Sequence, residues 1–137
     1  MKALSLLQPW ASLVIMGLKT VETRNWATAY RGPLLIHAGK SKAGQVVSAV
    51  PSINKYIPHF NALPFGQIIG KVFLDDIIRV EEFVISNEAI NRLTLENNVF
   101  GTYEVGRFAW ILTNPEIFEM PVPARGMLSL WDYPYNL

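Results

Sequence analysis

Lys19, Glu22 and Arg24 fall within six positions of one another, in the stretch Gly17-Leu18-Lys19-Thr20-Val21-Glu22-Thr23-Arg24. An ammonium, a carboxylate and a guanidinium at that spacing need either solvent or each other. In a strand over Thr20 to Trp26, alternation puts Glu22, Arg24 and Trp26 on one face, with Glu22 and Arg24 close enough to pair. A carboxylate and a fork-shaped cation beside an indole suit a polar, planar ligand. Lys19 reads as an ammonium aimed at a phosphate or a developing oxyanion, against a solvated turn lysine. Glu22 reads as a general base, or as an acceptor for the exocyclic amine of a base such as cytosine, against a surface carboxylate paired with Arg24. Arg24 reads as a phosphate clamp or base-stacking cation, against a structural ion pair.

Other side chains widen the candidate set. Arg31 and Lys40 are candidate phosphate contacts, with a solvated surface as the alternative. Trp10 and Trp26 are candidate stacking platforms or core, and Tyr30 a loop aromatic of many uses, whereas Trp110 and Trp131 lie in apolar strands and read as core. His37 sits in an apolar strand, a satisfied core histidine or a donor on a cleft wall. Asp75 and Asp76 have no partner motif and read as the end of a strand.

The elements that must carry these residues can be read from periodicity. Ala3 to Leu7 reads as a short buried strand. A helix starts near Gln8-Pro9-Trp10 with Pro9 at its first position and runs to Met16, with Trp10, Leu13 and Val14 on one face and Gly17 fitted to the left-handed site past its end. Thr20 to Trp26 is the polar strand, and Pro33 to Ala38 is apolar enough to be covered on both sides. Ser41 is placed to cap a helix to Val50, stopped by Pro51. Gln67 to Val80 is a β-branched run with a bulge or bend at Gly70, interrupted at Asp75-Asp76. Ser86-Asn87-Glu88 reads as the cap of a helix to about Asn97. Arg107 to Thr113 and Ile117 to Val122 read as strands joined by a turn at Asn114-Pro115-Glu116, and Met127 to Trp131 as the last strand. Strands do not alternate with helices, so a small mixed barrel with peripheral helices fits better than a doubly wound sheet.

Half of the 137 residues are hydrophobic, which suits one compact domain over 1–137. With no cysteine, disulfides, thiolate catalysis and zinc–thiolate sites are excluded, and His37 and His59 show no ligand spacing, so neither a metal nor a cofactor is expected. No leader and no membrane-length apolar run is visible, making the cytoplasm the expected compartment. Charge is uneven: residues 1–55 carry seven Lys/Arg and one acid, the remainder five and ten, or +6 against −5. Either the basic half forms a face for an anion such as nucleic acid or a nucleotide, or the halves interleave and cancel.

In order along the chain stand Leu4-Ser5-Leu6 with Gln8-Pro9-Trp10-Ala11, then Gly17-x-Lys19-x-x-Glu22-x-Arg24-x-Trp26, then Tyr30-Arg31-Gly32 with Ile36-His37-Ala38-x-Lys40. Pro64-Phe65-Gly66 with Gly70, Phe108-Ala109-Trp110-Ile111-Leu112, and Gly126 before Leu130-Trp131 follow. This set resembles the ASCH (activating-signal-cointegrator homology) domains, relatives of the PUA RNA-binding domains, over nearly the whole chain. The resemblance implies an α+β, PUA-like mixed β-barrel of about five to seven strands with two or three short flanking helices. It implies a cleft where the Gly-x-Lys-x-x-Glu-x-Arg side chains meet the first helix and the strand carrying His37. It also implies RNA or a nucleotide or nucleoside as ligand, bound by Trp10, Lys19, Glu22, Arg24, Arg31, His37 and Lys40. Some small relatives hydrolyse N-acetylcytidine and others cut RNA, which would make Lys19 and Glu22 catalytic. The hydrolytic relatives keep Lys-x-x-Thr with the threonine as nucleophile. Here Glu22 stands at that place, which removes the simplest mechanism and leaves water activation by the carboxylate.

Overall fold

The computed structural model describes residues 1–86, 89 and 102–137. Six strands form one curled, mixed sheet, a half-barrel: β1 (Lys2–Leu6), β2 (Val21–Arg24), β3 (Gly32–Ala38), β4 (Gln67–Arg79), β5 (Phe108–Pro123) and β6 (Leu130–Asp132). Their order is β2-β5-β4-β3-β1-β6, and β1 with β3 is the parallel pair among them. Among the described residues they are accompanied by the short α-helices α1 (Trp10–Ile15), α2 (Gln45–Ser48), α3 (Pro51–Asn54) and α4 (Val80–Phe83). No helix among the described residues is long and apolar enough to cross a membrane.

Helix α1 forms where the apolar stripe demands. Ala11, Val14 and Ile15 join Leu4, Leu6, Leu34, Ile36, Ala38, Ile69, Val72, Leu74, Trp110 and Leu112 in the main core. Gly17 ends the helix at φ +77°, the left-handed conformation expected of it. Gly70 lets the helix seat closely: a Cβ there would lie 2.7 Å from Ile15 Cγ2 and run into the Glu116 carbonyl. Strand β3 is covered on both faces, with Leu34 to Ala38 all buried. Leu34 and Ile36 face α1, while Leu35 joins Ala3, Ile68 and Trp131 in a second cluster behind the sheet.

Several local expectations change. Pro9 precedes the helix as its N-cap rather than opening it. The segment after Ser41 makes two single-turn helices instead of one, because Val50 is extended (ψ 129°) as a residue before proline prefers, and Pro51 then starts α3. Ser41 Oγ accepts from the Ala43 N–H in a local turn. The polar pair does not interrupt β4: pairing moves from Leu74–Leu112 to Asp76–Ile111, so Asp75 is the extra residue of a bulge. Nor does Asn114-Pro115-Glu116 break β5. Asn114 takes φ +51°, tolerable for an asparagine, and the strand absorbs it as a bulge between Thr113 and Glu116. The last strand is shorter than Met127 to Trp131, beginning at Leu130. The helix expected from Ser86-Asn87-Glu88 to Asn97 lies almost wholly outside the described residues.

Candidate nucleic-acid interface

Lys19 follows the glycine that ends α1, and its backbone N–H bonds back to the Leu13 carbonyl, which turns the side chain inward. Only 3% of it is exposed. Its Nζ donates to the Val21 carbonyl at 2.6 Å and to Glu22 Oε2 at 2.9 Å. Glu22 is likewise buried, and its other oxygen, Oε1, lies 3.9 Å from Arg24 Nη1. The ammonium and carboxylate neutralise each other under the surface. The unbalanced charge is that of Arg24, whose side chain is half-buried and lies 5.8 Å over the Trp26 indole.

Strand pairing extends this cluster into a surface. Across β2, β5 and β4, one row reads Glu22, Trp110, Ile77 and the next reads Arg24, Phe108, Arg79. Residues directly opposite in antiparallel strands share a face. Trp110 is fully buried in the main core and stacks edge-on against Trp26 at 4.8 Å, while its Nε1–H donates to the Trp26 carbonyl. Phe108, one row outward, is half-buried at the core's rim. Arg79 lies 5.5 Å over its ring, with an ion pair to Glu81 at 3.8 Å. The rim thus presents two guanidinium planes and two aromatic rings in one run. Arg107 stands close by, its Nη2 donating to the Thr23 carbonyl. Tyr103, stacked on Phe83, has its phenol pushed up to about 12 by burial and then by the Glu22 charge.

His37 and Lys40 do not belong to this cluster. Glu22 and Arg24 share the face of Trp110 and α1, whereas His37 lies on the opposite face, edge-on to Trp131 at 5.7 Å. There Ser5 Oγ lies 3.0 Å from His37 Nδ1, and His37 Nε2 lies 2.7 Å from the Ala124 carbonyl oxygen. Burial holds the imidazole below its ordinary pKa, partly offset by that carbonyl. The strand carrying His37 therefore meets the motif's side of the sheet through Leu34, Ile36 and Ala38 instead. Arg31 is committed elsewhere: it donates to the Thr28 and Tyr30 carbonyls and pairs with Asp76 at 3.4 Å. With Lys2–Asp132 at 3.0 Å, this pair shows the basic and acidic halves of the chain partly interleaving. Trp10 is half-buried and stands outside the core clusters.

Sequence reasoning passed over Arg79, Phe108 and Ser5. The first two lie far from Arg24 in the chain and join it only through β5. Ser5 carried one sign, a hydroxyl in an otherwise apolar buried strand. Gln8 was also more than a helix starter: it is fully buried, its Oε1 accepts from the Ser12 N–H, and its Nε2 donates to the Pro64 carbonyl.

The profile of the ASCH domain family matches residues 4–122. Activating signal cointegrator 1 of Mus musculus is 32% identical over 134 residues, covering 93% of this chain and 21% of that protein. The Homo sapiens protein of the same name is 31% identical over the same shares. The chain thus spans about a fifth of the length of these relatives. Among solved structures, the ASCH protein of Zymomonas mobilis matches with a TM-score of 0.50 and 19% identity, over 89% of this chain and 72% of that one. A single-residue variant of it gives 0.52 and 17%, over 89% and 74%. These likenesses concern the fold.

Proposed function

The chain belongs to the ASCH domain family, and from that premise we propose that it binds single-stranded RNA along the rim formed by Arg24, Trp26, Phe108 and Arg79. The carrying observation is the cross-strand row Arg24–Phe108–Arg79 with Arg24 over Trp26. Aromatic faces alternating with guanidinium planes accept successive bases of any identity and the phosphates between them. The Gly-x-Lys-x-x-Glu-x-Arg motif serves this surface as its support. Lys19 and Glu22 cancel each other's charge and fix the turn, and Glu22 holds Arg24 from below. Glu22 then acts by positioning rather than by reading a base edge.

Hydrolysis of a modified nucleoside or of RNA is the less supported reading. A catalytic lysine must reach substrate, and Lys19 Nζ is buried with a carbonyl and a carboxylate already bonded. Incubation with N-acetylcytidine should release no acetate.

Fluorescence anisotropy of a labelled 5′-hydroxyl single-stranded RNA tests the binding. Affinity should fall with salt, the log–log slope being about −0.7 per phosphate neutralised. Arg24→Gln and Arg79→Gln should each flatten that slope by about 0.7. Absence of binding at low salt, or binding indifferent to both substitutions, refutes the assignment.

A further inference from the structure

Behind the sheet, on the face away from the motif, lies an open cavity of about 990 Å³. Its walls come from β1, the end of β3, the Gly66 turn and the segment from Pro123 to Leu128. That volume is in the range that holds a small-molecule ligand. Two features give it a chemical preference. Its lining contains two cations, Lys40 and Arg125, and no carboxylate. Neither cation has an ion-pair or hydrogen-bond partner among the described residues. Lys40 instead lays its stem against Gly66, a Cβ there coming within 3.0 Å of Lys40 Cε, so the ammonium is directed by packing and left unneutralised.

The floor of the cavity is the Ser5–His37 pair, and its hydrogens can be assigned from the partners. The Ala124 carbonyl only accepts, so His37 Nε2 carries a hydrogen. In the neutral imidazole Nδ1 is then an acceptor, and the Ser5 hydroxyl donates to it at 3.0 Å. Ser5 Oγ also accepts from Trp131 Nε1–H at 3.2 Å. In that state Ser5 offers the cavity only a lone pair, which repels an anion. Protonation reverses this: Nδ1–H donates to Ser5 Oγ, and the freed hydroxyl hydrogen can swing into the cavity. Gly126 leaves the space for this, since a Cβ there would lie 2.6 Å from His37 Cε1 and 2.7 Å from Ser5 Oγ.

We propose that this cavity binds a small phosphomonoester, held by Lys40 and Arg125 and by the Ser5 hydroxyl, with one proton taken up at His37 on binding. The site is independent of the RNA-binding rim, lying on the other face of the sheet. The charged groups facing the pair are Lys40 and Arg125, whose repulsion of the imidazolium is relieved when the dianion enters. A free nucleoside monophosphate and the phosphorylated 5′ end of an RNA carry the same headgroup, and the two are separable by experiment.

The test uses NMR of the whole chain. Its two histidines give two sets of imidazole C–H signals, assigned by His59→Asn. Uridine 5′-monophosphate should shift the His37 signals and uridine should not. Lys40→Met and Arg125→Met, both at exposed positions, should each weaken the monophosphate roughly tenfold. A 5′-phosphorylated RNA trimer that shifts His37 more strongly than the monophosphate, while its 5′-hydroxyl form does not, assigns the site to RNA ends; the reverse order assigns it to free nucleotides. The proton coupling is read with inorganic sulfate, whose charge is constant where a phosphomonoester ionises near pH 6. Sulfate should raise the His37 pKa and bind more tightly as pH falls. No response of His37 to the monophosphate, binding unaffected by both cation substitutions, or a His37 pKa indifferent to sulfate overturns the proposal. None of these readouts depends on binding at the motif's rim.

Discussion

Replacing Lys19 by methionine isolates what the motif's buried ion pair does. The methionine keeps the stem's packing and removes the charge. Glu22 loses its 2.9 Å partner and the Val21 carbonyl loses a 2.6 Å donor, both in buried surroundings. Breaking a buried pair from one side costs about 3–5 kcal/mol because a desolvated charge is stranded. Arg24, 3.9 Å from Oε1, remains to share the carboxylate and places the expectation near the lower end, about 3 kcal/mol. That is a large part of a stability of roughly 5–15 kcal/mol and corresponds to a fall of roughly 10 °C in Tm at this chain length. Glu22→Gln keeps an oxygen for the ammonium and should cost about 2 kcal/mol, the charge's share of the bond. The double variant strands no charge, so its loss should be smaller than the sum of the singles by at least about 1.5 kcal/mol. Urea unfolding of the four proteins measures the cycle. A Lys19→Met loss below about 1 kcal/mol, or additive singles, would show that the pair is solvated and refute the buried-brace account.

Three further outcomes follow from the same geometry. Tyr103 should be the latest tyrosine to titrate, near 12 by phenolate absorbance, and Glu22→Gln should lower it only partly because burial is the leading cause. The raised value means the fold favours the neutral phenol, so its contribution is intact below about pH 10 and fades between there and 12. His37 works at the other end. Its lowered value means the unfolded chain binds more protons below about pH 6.5, so urea midpoints should fall as pH drops through that value and level off below the folded pKa, a slope that His37→Gln should lessen. Gly44→Ala should unfold the protein more than any exposed substitution. Its Cβ would strike the Gln8 carbonyl oxygen and lie 2.9 Å from Pro9 Cδ, and a shift there disturbs a fully buried glutamine, so a loss of several kcal/mol by thermal melting is expected.

The residues close in sequence were legible in advance because local rules govern them. Alternation alone puts Glu22 and Arg24 on one face, a glycine at φ +77° ends α1 where the apolar stripe stops, and an unbroken apolar run marks β3 as a strand covered twice. The spacing of Lys19, Glu22 and Arg24 places three charges within six positions, where they need either solvent or each other. What the chain alone left open was decided by long-range pairing. Phe108 and Arg79 reach Arg24 only because β5 lies between β2 and β4, an order that no local periodicity encodes. The continuity of β5 through Asn114 depends on its pairing with β4, against which β5 carries the extra residue as a bulge where the local sequence favours a turn. His37 follows Ile36 by one residue, and the two-residue period of a strand sends it to the other face, away from the motif. The sense of Lys19 also changed with folding. A lysine past a helix-ending glycine is ordinarily solvated, and only the closing of β2 against β5 and α1 turns it into a buried partner for Glu22, leaving Arg24 as the motif's outward charge.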